Sequence, residues 1–293
     1  MTATSSSAIP SYVPADQRPE RMSREEMDAL VSTIPLHSAA LLAGPANVIM
    51  QMANAPVGRG VVESKVESGN ILKHPIKRTR TTLSYLAVAA IGSPADRKAY
   101  REAVNSAHRQ VHSTKESPVK YNAMDPKLQL WVAACLYKGW EDTERLYGHK
   151  KNLSEEHYRM GATMGTTLQM PYEMWPETRA DFQKYWDETV AGIEMDEEVR
   201  KYLTKLAKLT FLGEVPTALL GWYAEALTLG YLPTEFQDML KLHPTKGQKR
   251  FFDAHNVLIR TATRLTPKPI QELPFRVLLA DVRRRIRTGQ PLI

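Results

Sequence analysis

Apolar residues recur three and four positions apart through most of the chain, and no alternating stretch of useful length interrupts them. The spacing predicts helices, and the punctuation between the stripes predicts where they begin and end. Ser23-Arg24-Glu25-Glu26 reads as a capping box opening a short helix to about Thr33. Asn47 to Ala53 reads as a buried helix carrying one amide, Gln51, and Gly58-Arg59-Gly60 as a turn. Pro75 suits a first helical position, and Gly92 stops that helix. Ser93 then caps the next, with Pro94 at its first position and Asp96 in its first turn. Asp125-Pro126 starts a strongly apolar helix that closes at Gly148, and Ser154 opens one running to about Met170. Further helices are expected over residues 178–191, 196–212, 216–229, from Pro233, over 246–265 and over 274–287. There are no Asn-Gly or Asp-Gly hairpin signals and no repeat at solenoid period. The expectation is an all-α fold of roughly ten helices around one core. Its helical domain spans 22–293, behind a Ser/Pro-rich arm at 1–21.

Composition narrows the class. The chain has 293 residues, 43% of them apolar, with a formal charge of +7. The only dense basic run, Arg283-Arg284-Arg285-Ile286-Arg287, is short and terminal. Nucleic-acid binding is therefore disfavoured against anionic cofactors or a membrane surface. Cys135 is the single cysteine, so no intramolecular disulfide forms. The N-terminus has no apolar core of a signal peptide, and the longest apolar runs are broken by Gly and Pro. The expected location is the cytoplasm, without a membrane span.

The helix pair around Gly92-Ser93-Pro94 carries the candidate chemistry. Arg78 and Thr82 lie four apart, hence on one helix face. His108 falls in the stripe Tyr100, Ala103/Val104, Ala107, Val111, so its imidazole faces inward and needs partners. Those partners are a carbonyl, as for any core histidine, or a metal. His108 and His112 are spaced i, i+4, as two metal ligands on a helix would be, but no carboxylate completes such a site. The alternative for His112 is a cation at a helix C-terminus. Arg78 alone reads equally as a surface cation, and Thr82 as a hydroxyl bonded back to its own helix. There is no Gly-rich phosphate loop, HExxH, CxxC or GxSxG. One inward histidine, apolar neighbours and an arginine on the adjacent helix suit haem.

Several stretches together resemble the rubber-oxygenase catalytic domain of latex-clearing proteins and MpaB-type oxygenases. They are LAGPANVIMQMANAPVGRGV, Arg78…Thr82…Tyr85-Leu86, Ile91-Gly92, VNSAHRQV around His108, YNAMDPKLQLWVAACL, and the tail LPTEFQDMLKL…LIRTATRLTPKPIQELP. The likeness covers roughly residues 38–285. It implies a globin-related helical bundle enclosing a haem b pocket, with His108 as the iron ligand. It implies that Arg78 and Thr82 act at the cofactor from the facing helix. The implied activity is an oxidoreductase using dioxygen on an apolar small molecule, with oxidative C=C cleavage as the family reaction. Departures accompany it: Asn54 and Ala133 stand where the family often has histidines, and Thr81 where latex-clearing proteins have lysine. The Asn54 and Ala133 departures favour the alternative of a non-enzymatic haem- or lipophile-binding helical protein, and Thr81 removes the expectation of a lysine at the sixth position.

Overall fold

The computed structural model describes Ser23, Glu26, residues 35–64, Val66, and residues 70–148 and 154–293. The arm expected over 1–21 and the body of the helix expected after Ser23 lie outside the described residues. At that helix's start, Ser23 N donates to Glu26 Oε2 at 2.6 Å and Glu26 N donates to Ser23 Oγ at 3.1 Å, the reciprocal bonds of a capping box.

All regular structure among the described residues is helical, apart from one isolated antiparallel bridge between His112 and Asn122. A 3₁₀ turn at Ser38–Ala43 leads into α1 (Gly44–Ala53) and α2 (Ala55–Val62). Then come α3 (Pro75–Ile91), α4 (Pro94–His108), α5 (Pro126–Tyr147), and the short α6 (Glu155–Met160) and α7 (Thr163–Thr166). A 3₁₀ turn at Tyr172–Met174 precedes α8 (Arg179–Ala191) and α9 (Glu197–Ala207), and another at Thr210–Leu212 precedes α10 (Glu214–Tyr231). The chain closes with α11 (Thr234–Leu240), α12 (Lys246–Leu265), α13 (Lys268–Gln271) and α14 (Leu273–Thr288).

α5 is the axis of this single helical domain. It is buried on nearly every side, against α1, the 38–43 turn, α7 and α12. Trp131 stacks on Trp186 at 5.3 Å between ring centroids, and Tyr137 meets Phe182 edge-on at 5.0 Å. Several polar groups that this burial encloses are paired. Asn47 Nδ2 donates to the Cys135 carbonyl, Gln51 Nε2 to Asn47 Oδ1, and Trp131 Nε1 to the Gln51 carbonyl.

α3, α4 and α14 form a second packed group. Ser93 caps α4 as expected: its Oγ accepts from Asp96 N at 3.2 Å, and its own N donates to Asp96 Oδ2 at 2.9 Å. Asp96 also accepts from Arg283 Nη2 at 2.8 Å, which ties α14 to the start of α4. Arg284 and Arg285 both donate to Asp281, at 2.6 and 2.7 Å. The terminal basic run is thus largely spent on intramolecular pairs rather than held out as a nucleic-acid surface.

Two expectations fail for one reason, close packing at glycine. Gly58-Arg59-Gly60 is not a turn but part of α2. A Cβ on Gly58 would lie 2.4 Å from the Met52 carbonyl oxygen and 2.7 Å from Val199 Cγ1, so the glycine lets α2 approach its neighbours. The helix expected from Ser154 to Met170 is broken at Gly161. There a Cβ would meet Tyr137 at 2.5 Å, and the chain bends around that ring instead.

Candidate functional site

The α3–α4 hairpin sets the site's register. Arg97 Nη2 donates to the Ala89 carbonyl at 3.4 Å, and Tyr100 OH donates to the Thr81 carbonyl at 2.6 Å. The rings of Tyr85 and Tyr100 are 6.2 Å apart. As one helix descends the other ascends, so two turns beyond Tyr100 the last turn of α4 comes beside the first turn of α3. The Arg78 charge accordingly acts on His108.

Arg78 is exposed, yet burial is the main cause that lowers its pKa. Both facts hold for a side chain lining a recess, reachable by small molecules but walled by protein atoms. The phenols of Tyr100 and Tyr202 offset the burial in part. Among the described residues no carboxylate pairs with this guanidinium. A solvent-reachable cation without a protein counter-ion is available to an anionic ligand group.

His108 is half-buried at the last residue of α4. Burial first, and the Arg78 charge second, push its pKa down to about 4, so the imidazole is neutral near pH 7. The inward stripe is as expected: Tyr100 and Val104 are buried on the same face. An acceptor for its second ring nitrogen was also expected, a carbonyl or carboxylate, and none is found among the described residues. Nδ1 is buried without a hydrogen-bond partner. A neutral imidazole with an orphaned nitrogen, beside an uncompensated cation, fits a ligand carrying both a metal and an anionic group.

Thr82 lies one turn along α3 from Arg78 and is half-buried. The back-bond weighed for it belongs to its neighbour: Thr81 Oγ1 donates to the Arg78 carbonyl at 3.0 Å. Among the described residues the Thr82 hydroxyl has no such bond. His112, by contrast, does not share a helix face with His108. α4 ends at His108, and His112 stands exposed in the bridge to Asn122. Its i, i+4 pairing and its role as a helix-terminal cation are both corrected by that ending. Among the described residues no cluster of three His, Cys, Asp or Glu exists that could hold a metal ion.

Sequence reading missed Tyr202 of α9. It falls in a buried stripe with Val199 and Leu206 and so reads as core. In the structure its hydroxyl lies 3.4 Å from Asn70 Oδ1, and its pKa is raised by burial and lowered by Arg78. Tyr202 therefore brings α9 within electrostatic reach of Arg78. Only the packing of α9 could reveal that.

Residues 35–263 match the family described as ER-bound oxygenase mpaB/B′/rubber oxygenase, catalytic domain. The chain belongs to this family. Within the mpaB/rubber-oxygenase family it is similar to two proteins described only as uncharacterised, from Mycobacterium bovis and Mycobacterium tuberculosis. Each is 45% identical over 255 residues, covering 86% of this chain and all of the relative. No solved structure matches. Membership makes this an oxygenase-type chain, and Arg78 and His108, whose charges interact across the α3–α4 pair, are two of the three residues that its resemblance to the mpaB/rubber-oxygenase family singled out. Two other family positions carry no histidine. Ala133 is fully buried, 3.2 Å from where a Cβ on Gly165 would lie, and Asn54 serves as the junction between α1 and α2. Among the described residues no helix is long and apolar enough to cross a membrane.

Proposed function

We propose that this chain is a haem b-dependent oxygenase using dioxygen on an apolar small molecule, with oxidative cleavage of a C=C bond as the favoured reaction. The observation that carries the reading is a neutral imidazole with an orphaned ring nitrogen beside a guanidinium without a counter-ion, on adjoining helices. His108 is the residue that would ligate the iron, since burial and Arg78 keep its nitrogen lone pair free of a proton at working pH. Bound haem would supply the redox chemistry that activates dioxygen. Arg78 offsets negative charge in the recess, on a propionate or on a reacting oxygen. Thr82 offers a hydroxyl that its own helix does not occupy, to donate to an oxygen or hold a water. Tyr100 and Tyr202 lie within electrostatic reach of Arg78, and their rings exclude water from an apolar substrate.

A carrier that keeps the haem but performs no oxygenation is the second reading, favoured by the loss of histidine at Asn54 and Ala133. Protein produced with haem supplied tests both. The reading expects haem absorbance in the wild type, its loss in His108→Ala and its retention in His112→Ala. Arg78→Ala should weaken haem binding or oxygen consumption without unfolding the protein. Full haem retention in His108→Ala would falsify the assignment. Haem absorbance without oxygen uptake on any apolar substrate would favour the carrier.

A further inference from the structure

An exposed apolar surface lies on α10 and α12. In α10, Val215, Leu219 and Trp222 follow one another at i, i+4, i+7, and Leu219 is 75% exposed. In α12, Leu258 and Leu265 lie on one outward row, 66% and 79% exposed. The edge-on contact of Trp222 with Phe251, at 5.0 Å between centroids, joins the two helices. Soluble surfaces do not usually leave such contiguous apolar rows uncovered.

The charges beside these rows indicate what covers them. Lys246, Arg250 and Arg264 are exposed and fall at i, i+4 and i+18, on one face of α12 next to the leucines, with Asp253 and Val257 between them. Among the described residues none of the three makes an ion pair. The acids nearby are few: Asp253 on α12, Glu214 at the start of α10, and Glu225, which pairs with Lys208 at 3.6 Å. A second copy docking through a twofold axis would set the basic row against itself. A single helix of 20 residues, about 30 Å long, presents a line rather than a groove and suits a plane. Apolar side chains flanked by cations along one helix face are how a chain lies on an anionic lipid surface.

We propose that the α10–α12 face docks the protein on an anionic membrane surface, with the leucines and Trp222 entering the headgroup layer and the basic row meeting lipid phosphates. The inference does not depend on the oxygenase reading. Co-sedimentation of the full chain with phosphatidylcholine vesicles, with and without phosphatidylglycerol, tests it. The wild type should pellet with the anionic vesicles, and added salt should release it. Arg250→Glu with Arg264→Glu should weaken binding roughly ten-fold or more, since each cation near such a surface contributes about five-fold. Leu219→Ser with Leu258→Ser should also weaken it, and circular dichroism should stay unchanged because both leucines are exposed. Wild type left in the supernatant overturns the proposal, as does binding indifferent to lipid charge or to both double variants. A dimer dispersed by the leucine variants, with no vesicle binding, would reassign the face to a second copy.

Discussion

The depressed pKa of His108 has a consequence for stability that can be measured without any substrate. Folding moves this histidine from an ordinary 6.5 to about 4, through burial first and the Arg78 charge second. Between those values the unfolded chain binds a proton that the folded chain refuses. The contribution is thus fully present above pH 6.5 and is lost as pH falls through that value toward 4. A shift of this size corresponds to about 3 kcal/mol. Urea unfolding of haem-free protein at pH 7 and pH 4.5 should show the wild type losing most of that amount beyond what His108→Gln loses, because glutamine has no proton to gain. Proton NMR should place the His108 resonance among the last to titrate. In Arg78→Met its midpoint should rise while staying below 6.5, since burial, the larger cause, persists. Parallel pH profiles for wild type and His108→Gln would sink the reasoning. So would a His108 midpoint unmoved by Arg78→Met, because the two residues would then not share a recess.

The packing makes two further predictions. Asp96→Ala removes both the N-terminal cap partner of α4 and the Arg283 tie to α14. Together these contribute about 3 kcal/mol, so a thermal melt should shift down by about 5–10 °C, and an unchanged melt would show that α14 is held by its apolar contacts alone. Gly58→Ala forces a methyl onto the Met52 carbonyl and Val199, and should cost about 1–3 kcal/mol in urea unfolding. A neutral result would mean that α2 and α9 can separate freely.

Much of the fold was legible because its signals are local. Ser93 and Asp96, Asp125 with Pro126, and Thr245 at the start of α12 bring their bonding partners within three residues, so a cap can be read before any tertiary contact is known. The α12 boundaries, 246 and 265, were legible for the same reason. The inward direction of His108 also followed from its own helix, through the stripe with Tyr100 and Val104. Where a neighbour decides, the sequence was silent or misleading. Gly58 reads as a turn and Gly161 as part of a continuous helix, but at both the determining atoms belong to distant residues, Val199 and Tyr137. The i, i+4 spacing of His108 and His112 has meaning only on a continuous helix, and the bridge to Asn122 ends that helix first. Arg78 reads equally as a surface cation or a site residue, since its stripe cannot say whether its surroundings are water or a walled recess. Tyr202, brought within electrostatic reach of Arg78 by the packing of α9, is part of the answer. The residue types and their helix faces were set locally, whereas the environment that holds one imidazole neutral beside an unpaired guanidinium is made by long-range contacts, which no spacing along the chain encodes.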